Sequence, residues 1–379
     1  MERRTFLKSM SASGAALVLP DLPTQQEVLR THRIAEIRPF RTQAHYPRLV
    51  GRNSSKGIHG TGPAIQACIV TTDQGARGWG HGGGTDAQLE AARARMLGKP
   101  VADCIDLAVG VTDPDLRFLD IPLHDLAGVI LNQPVNGLIA ERKQSGGNVQ
   151  TVFPCYSGMI YMDDLDPEEN PAGIDKVLEN CAADHSYGYR QLKLKIGRGN
   201  KWMEPEAGLK RDIEVTKRVA EAFPDCKVLV DGNNGFTPDM FLRYMDGIGD
   251  VPLYWIEEPF HENRDDLKRL HDWMTAHGKK MCIAEGEAGF DKEQLLALAA
   301  EDLVHVFIPD TLGYGFTPWR ALMKELIAKG YTTSPHTWGS PLKTYYTAHL
   351  GGGGNMLTVE GVTGTVDHVD TSAYTLKDG

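Results

Sequence analysis

The sequence predicts an α/β protein: a barrel of alternating parallel strands and helices, joined to a smaller α+β domain. Three observations predict it. First, seven short apolar runs recur in the second half of the chain, each ending in ionisable residues. They are QLKLK (Lys193, Lys195), KVLVD (Asp231), LYWIE (Glu257), CIAEGE (Glu287), VHVFIPD (Asp310), YTTSPH (His336) and NMLTVE (Glu360). Second, from Asp231 onward the ends lie roughly 25 residues apart, enough for a strand of about 5 residues, a helix of about 10–15 and two short loops. Third, the 379 residues are 41% hydrophobic, enough for a large barrel and a second core. In such a barrel all strands point the same way, so these end residues converge on one rim.

The elements follow in order. Met1–Pro20 opens with Arg3-Arg4-Thr5-Phe6-Leu7-Lys8, which resembles a twin-arginine export signal, so a periplasmic location is expected, with the cytoplasm as alternative. Residues 1–32 are read as this signal and a Gln/Thr-rich linker (Leu22–His32). Residues 33–150 read as the α+β unit. Ile34–Tyr46 is a strand, Gly51–Gly62 a polar Gly-rich loop, Ala64–Thr72 a second strand and Asp73-Gln74-Gly75 a turn. Ala87–Leu97 and Asp125–Leu131 read as helices. Residues 151–364 read as the barrel. Ile213, Thr216, Val219, Ala220 and Phe223 recur at helical spacing, and Pro224 stops that helix. Thr237-Pro238 and Thr317-Pro318 read as N-cap and first-turn pairs, the second opening a helix that ends at Gly330. Gly351–Gly354 lies between helix and strand, the wrong order for a phosphate-cradling loop.

Composition narrows the function classes. The net charge is −10 and no basic stripe with interleaved aromatics appears, which argues against nucleic acid as a partner. Cys68, Cys104, Cys155, Cys181, Cys226 and Cys282 are scattered without a CxxC pair; Cys68, Cys226 and Cys282 lie within or beside apolar runs and read as buried thiols. No apolar stretch approaches the ~20 residues of a membrane span.

The rim residues carry the chemistry. Asp231, Glu257 and Glu287 offer oxygen ligands at the ends of three consecutive strands, a set that suits Mg²⁺ with water and substrate oxygens completing it. Glu258 competes with Glu257, and strand alternation lets one of them face inward. Glu285, two residues before Glu287, is expected to share its face. Lys193 and Lys195 lie two apart on one strand, so both point into the barrel, where a cation and mutual repulsion should lower their pKa values toward a neutral base. Asp310 can hold one ring nitrogen of His336 and leave the other free for proton transfer. Glu360, protonated, can donate to a substrate carboxylate, and Asn233 is near enough to Asp231 to face the same cup.

In order and at barrel spacing, Lys193-Leu194-Lys195, Asp231-Gly232-Asn233, Glu257-Glu258-Pro259, Gly286-Glu287, Pro309-Asp310 and Pro335-His336 resemble the mandelate-racemase subgroup of the enolase superfamily. Gly75–Gly80 and Ile121–Leu138 look like its capping-domain segments. The resemblance spans about Ile34 to Gly364. It implies a (β/α)7β modified TIM barrel, with a cap that includes part of the tail 365–379. It also implies one Mg²⁺ per subunit on Asp231, Glu257 and Glu287, with Lys195 as the base facing the substrate α-carbon and Lys193 on the substrate carboxylate. His81 stands where many relatives carry Glu.

The resulting expectation is a lyase that removes a proton α to a carboxylate and dehydrates a sugar acid, with Lys195 and His336 as the acid/base pair. The polar loop, with Arg52, Asn53, Ser54, Ser55, Lys56 and His59, suits a polyol; Arg52, Lys56 and His59 are the loop residues expected to bind substrate. Alternatives are a racemase or epimerase of a 2-hydroxy acid, and an exported sugar-acid-binding protein without turnover. The expected partners are a small carboxylate substrate and further copies of the chain, in a homo-oligomer.

Overall fold

The structure is a computed structural model and describes residues 24–140 and 151–379. The Arg3–Lys8 motif lies outside the described residues. No helix among them is long and apolar enough to cross a membrane.

The chain enters through a helix, α1 (Gln25–Thr31), where a linker was expected. Thr24 and Glu27 cap it reciprocally: the Glu27 amide donates to Thr24 Oγ1 at 3.2 Å and the Thr24 amide to Glu27 Oε2 at 2.6 Å. Leu29 of α1 is fully buried. The polar composition masked a T-x-x-E capping box, which satisfies otherwise orphaned amides.

Four antiparallel strands form the cap sheet: β1 (Ile34–His45), β2 (Ala64–Thr72), β3 (Arg77–His81) and, from the C-terminal end, β12 (Thr365–Val366). Their order is β12-β1-β2-β3. Two helices cover it, α2 (Asp86–Met96) and α3 (Asp120–Leu131). Helix α3 begins five residues before the expected Asp125, with Pro122 in its first turn, where a missing N–H costs nothing.

Eight parallel strands form the barrel: β4 (Cys155–Ile160), β5 (Gln191–Lys195), β6 (Lys227–Asp231), β7 (Leu253–Glu257), β8 (Cys282–Glu285), β9 (Val306–Phe307), β10 (Thr332–Thr333) and β11 (Val359–Gly361). Strand β11 pairs with β4. Between β10 and β11 the Leu357 amide donates to Thr333 O and Ser334 Oγ to Thr358 O, both at 2.8 Å, and these bonds close the ring. A helix follows each of the first seven strands: α4 (Ile174–Tyr187), α5 (Pro205–Ala222), α6 (Pro238–Ile248), α7 (Arg264–Ala276), α8 (Lys292–Ala300), α9 (Phe316–Lys329) and α10 (Pro341–Leu350). This is a (β/α)7β barrel.

Alternation sorts the strand residues into two layers. Tyr156, Leu229, Trp255, Ala284, Val306 and Ile308 fill the interior. Val230, Ile256, Ile283 and Phe307 face the helices in the main core. Each large side chain buried this way contributes about 1.5–3 kcal/mol. Thr317 is not the expected N-cap. It is the second residue of α9, and its amide and hydroxyl donate to Asp120 of α3 at 2.7 and 2.6 Å, tying barrel to cap.

Cap packing depends on a close approach at Gly78. A Cβ there would lie 2.2 Å from Leu126 N and 2.4 Å from Pro122 O, so α3 could not rest on β3. Gly78→Ala is expected to destabilise by about 1–3 kcal/mol, read as a lower Tm by calorimetry. Gly57→Ala, which meets nothing within 4 Å, serves as control. Equal melting of Gly78→Ala and wild type would show that the helix sits farther from the sheet.

Candidate active site

The C-terminal ends of the strands bring the rim residues together. Lys193 and Lys195 leave β5, Asp231 ends β6, Glu257 ends β7 and Glu360 lies on β11, all buried. Glu287 lies two residues past β8, beyond Gly286, whose φ of +105° turns the chain. That turn corrects the reading of Glu285. With Ala284 facing the interior, Glu285 points the other way, and the bend at Gly286 brings Glu287 back to the cup.

Carboxylate oxygens of Asp231, Glu257 and Glu287 lie within 4.8 Å of one another. Glu257 Oε2 and Glu287 Oε2 are buried without a hydrogen-bond partner. Orphaned, all-oxygen donors of this kind fit a hard cation such as Mg²⁺. Asn233 stands beside them in a left-handed conformation (φ +45°), its amide donating to Asp231 Oδ1 at 2.9 Å and its Oδ1 unpartnered.

The lysines neutralise this cluster. Lys193 Nζ lies 2.6 Å from Glu257, 3.1 Å from Glu360 and 3.4 Å from Asp231. Lys195 Nζ pairs with Asp231 Oδ2. Burial alone lowers an ammonium pKa, but Glu257 and Glu360 hold Lys193 well above the usual lysine value, and Asp231 raises Lys195. Among these side chains alone, attraction to the surrounding carboxylates exceeds burial and the repulsion between the lysines; the expected fall belongs to a cup that also holds a cation.

Glu360 answers to the same charges. Burial pushes its pKa up, but Lys193, His336 and the Thr337 amide bring it down to about 2. As an ionised acceptor it receives the Thr337 amide at 2.7 Å. Gly158 makes room for it, since a Cβ there would lie 2.4 Å from Glu360 Oε1.

His336 and Asp310 are adjacent across a parallel bridge. His336 Nδ1 donates to Asp310 Oδ2 at 2.9 Å, and Nε2 lies 3.3 Å from Glu287 Oε1. Burial disfavours the imidazolium, yet Glu287, Glu360 and Asp310 raise its pKa. Burial opposes ionisation of Asp310 too, but His336 and Lys343 hold it far below the usual carboxylate range.

The loop candidates divide. His59 reaches the site: its ring packs 4.6 Å from that of Tyr161, over which Lys195 Nζ sits at 5.2 Å. Arg52 does not. Its guanidinium donates to Asp166 at 2.6 Å and stacks 4.6 Å from Trp202, so a partner more than a hundred residues away claims it. Lys56 is exposed on the loop and is not brought to the carboxylates. An aromatic group escaped the sequence reading: Trp338 packs 4.7 Å from Tyr161 and 5.5 Å from Tyr46. The loop region is thus not wholly polar. Trp338 could have been found from its place two residues after His336. Tyr161 follows β4, a strand without a charged end to mark it. Lys343, on Asp310, comes from α10, where nothing in the local sequence marks it.

Comparison with known proteins agrees with this geometry. The enolase C-terminal domain-like family matches residues 176–379. A galacturonate dehydratase from Geobacillus sp., solved as a mutant complexed with Mg, superposes with a TM-score of 0.84 at 27% identity, covering 92% of this chain and 90% of that one. A mandelate racemase/muconate lactonizing protein from Geobacillus sp., complexed with magnesium/tartrate, also gives 0.84, at 28% identity over 92% and 89%. The D-galactarolactone cycloisomerase of Agrobacterium fabrum is 24% identical over 237 residues, 61% of this chain and 55% of the cycloisomerase, so this chain spans little more than half of that relative. With this barrel, this cap and a family match over more than half of its length, the chain belongs to the enolase superfamily, in its mandelate-racemase subgroup.

Proposed function

We propose that this chain abstracts the proton α to the carboxylate of a sugar acid, an aldonate or aldarate, and dehydrates it to a 2-keto-3-deoxy acid. One observation carries the reading: two proton-carrying nitrogens, Lys195 Nζ and His336 Nε2, abut different members of one three-carboxylate cluster. Asp231, Glu257 and Glu287 would hold Mg²⁺, which supplies positive charge for the substrate carboxylate and competes with Lys195 for Asp231. The magnesium-bound Geobacillus dehydratase, similar over nearly the whole chain, supports both parts.

The protein's own groups then divide the work. Lys193 faces the substrate carboxylate and stabilises the charge that develops there. Lys195, as the free amine, takes the α-proton and leaves an enediolate. His336, held by Asp310, gives the proton from Nε2 to the departing β-hydroxyl, which leaves as water. The enol left behind tautomerises to the 2-keto acid. Protonation of the enediolate on the opposite face would give an epimer instead, so the product distinguishes dehydratase from epimerase.

Two outcomes are expected. Chelation should abolish turnover, and Asp231→Asn should weaken Mg²⁺ binding measured by calorimetry. In wild type, Mg²⁺ at a hundred times its Kd should stabilise by about 2.7 kcal/mol. Full activity in protein confirmed metal-free would sink the ligand assignment.

The second outcome separates the bases. For a substrate with its α-proton on the Lys195 face, His336→Asn should lose 2-keto product yet keep slow α-exchange in heavy water. Lys195→Ala should lose both, each by roughly 10²–10⁴-fold. For the opposite configuration the two variants exchange behaviour. Near-wild-type product formation by either variant contradicts the mechanism.

A further inference from the structure

A second acidic group lies beside the first, and the mechanism uses none of it. Carboxylate oxygens of Glu258, Glu262 and Glu285 come within 4.8 Å of one another. Glu258 directly follows Glu257 and adopts a left-handed φ of +38°, a conformation uncommon for Glu. Its Oε1 accepts the Ala288 amide at 2.9 Å. Glu285 is fully buried, and neither of its carboxylate oxygens has a hydrogen-bond partner. Glu262 is half-buried and opens the group to solvent.

The contrast with the first cluster is one of charge balance. There, Lys193 and Lys195 pair with the carboxylates. Here, no Lys or Arg among the described residues pairs with any of the three; His261 is the base that acts on Glu262. Buried like charges without a counter-charge are expensive, and unpartnered carboxylate oxygens are ready ligands.

We propose that Glu258, Glu262 and Glu285 hold a second hard divalent cation, Mg²⁺ or Ca²⁺. It ties the turn after β7 to the end of β8. Glu258 is bonded to Glu257, and Glu285 is two residues from Glu287, so the cation fixes the backbone that presents two ligands of the first cluster. The one-cation expectation becomes two cations per chain.

Counting ions tests this without recourse to activity. Full-length protein is stripped with chelator, dialysed to equilibrium against Mg²⁺ or, separately, Ca²⁺, and its bound metal is measured by mass spectrometry. Wild type should bind two ions per chain, and the cation that fills the second place at lower concentration identifies the occupant. Glu285→Gln should bind one. Glu262→Gln, at a half-exposed position that tolerates change, should weaken the second ion by about tenfold or more. Asp231→Asn should lose the first ion and keep the second, so a failure of the first assignment stays distinguishable. One ion in wild type and Glu285→Gln alike, with none in Asp231→Asn, would overturn the proposal and show that protons neutralise the group. Two ions in both wild type and Glu285→Gln would overturn it as well, placing the second ion elsewhere.

Discussion

Lys193 is the group on which the rim depends. Its ammonium is fully buried and reaches Glu257, Glu360 and Asp231 at once, from strands β7, β11 and β6. Taking any one of these charges out of water costs several kcal/mol, and attraction offsets that only while every partner is present. Removing one partner from such a pairing costs about 3–5 kcal/mol because a charge is left uncompensated. Register follows from this. Lys195 is the Cα partner of Asp231, and Asp231 of Glu257, in neighbouring strands, so a slip of one residue would send the whole charged set into the helix layer. The same pairing keeps both lysines protonated until the carboxylates find another counter-charge.

The outer half of the rim is organised differently. Asp310 holds His336 through one oxygen and also receives Lys343 from α10. A carboxylate kept ionised by a neighbouring ammonium makes a firm acceptor for Nδ1–H, which orients Nε2 toward Glu287. Lys343 also donates to Trp338 O at 2.9 Å. One side chain therefore ties the dyad to the segment that carries the aromatic ring over the site.

What was legible in the sequence was what local periodicity controls. A strand that alternates faces and ends in a charged residue announces where that residue goes, so Lys193, Lys195, Asp231, Glu257 and Glu360 could be placed in one cup before any coordinates. The reading failed where the chain leaves that rule. Gly286 bends the backbone, so counting by twos from Glu287 put Glu285 on the wrong face. Thr317 looks like a cap by its Thr-Pro pair, yet its hydroxyl goes to Asp120, nearly two hundred residues away. Arg52 looks free on a polar loop, yet Asp166 and Trp202 occupy it. Protonation was the hardest quantity to read. Lys195 and Glu360 each have a partner of opposite charge from another strand, and no local pattern gives the sum of those fields.

The loop over the site explains why the substrate is less legible than the chemistry. Gly51 donates its amide to Asp163 at 2.7 Å, Ser54 its hydroxyl to Gly232 O at 2.7 Å, and Trp202 its indole N–H to Asn53 O at 2.6 Å. All three partners belong to turns of the barrel, and Gly232 adjoins Asp231. The loop is therefore anchored to the same rim that carries the reacting groups, although it grows from the cap sheet. His59 is held as well: its Nδ1 lies 2.8 Å from Gly51 O and its ring packs against Tyr161 and Trp338. Strand ends fix the geometry of the lysines and carboxylates. The loop brings the His59 ring against Tyr161 and Trp338, beside Lys195. Residues carried on strands leave a periodic trace in the sequence, and residues carried on the loop do not.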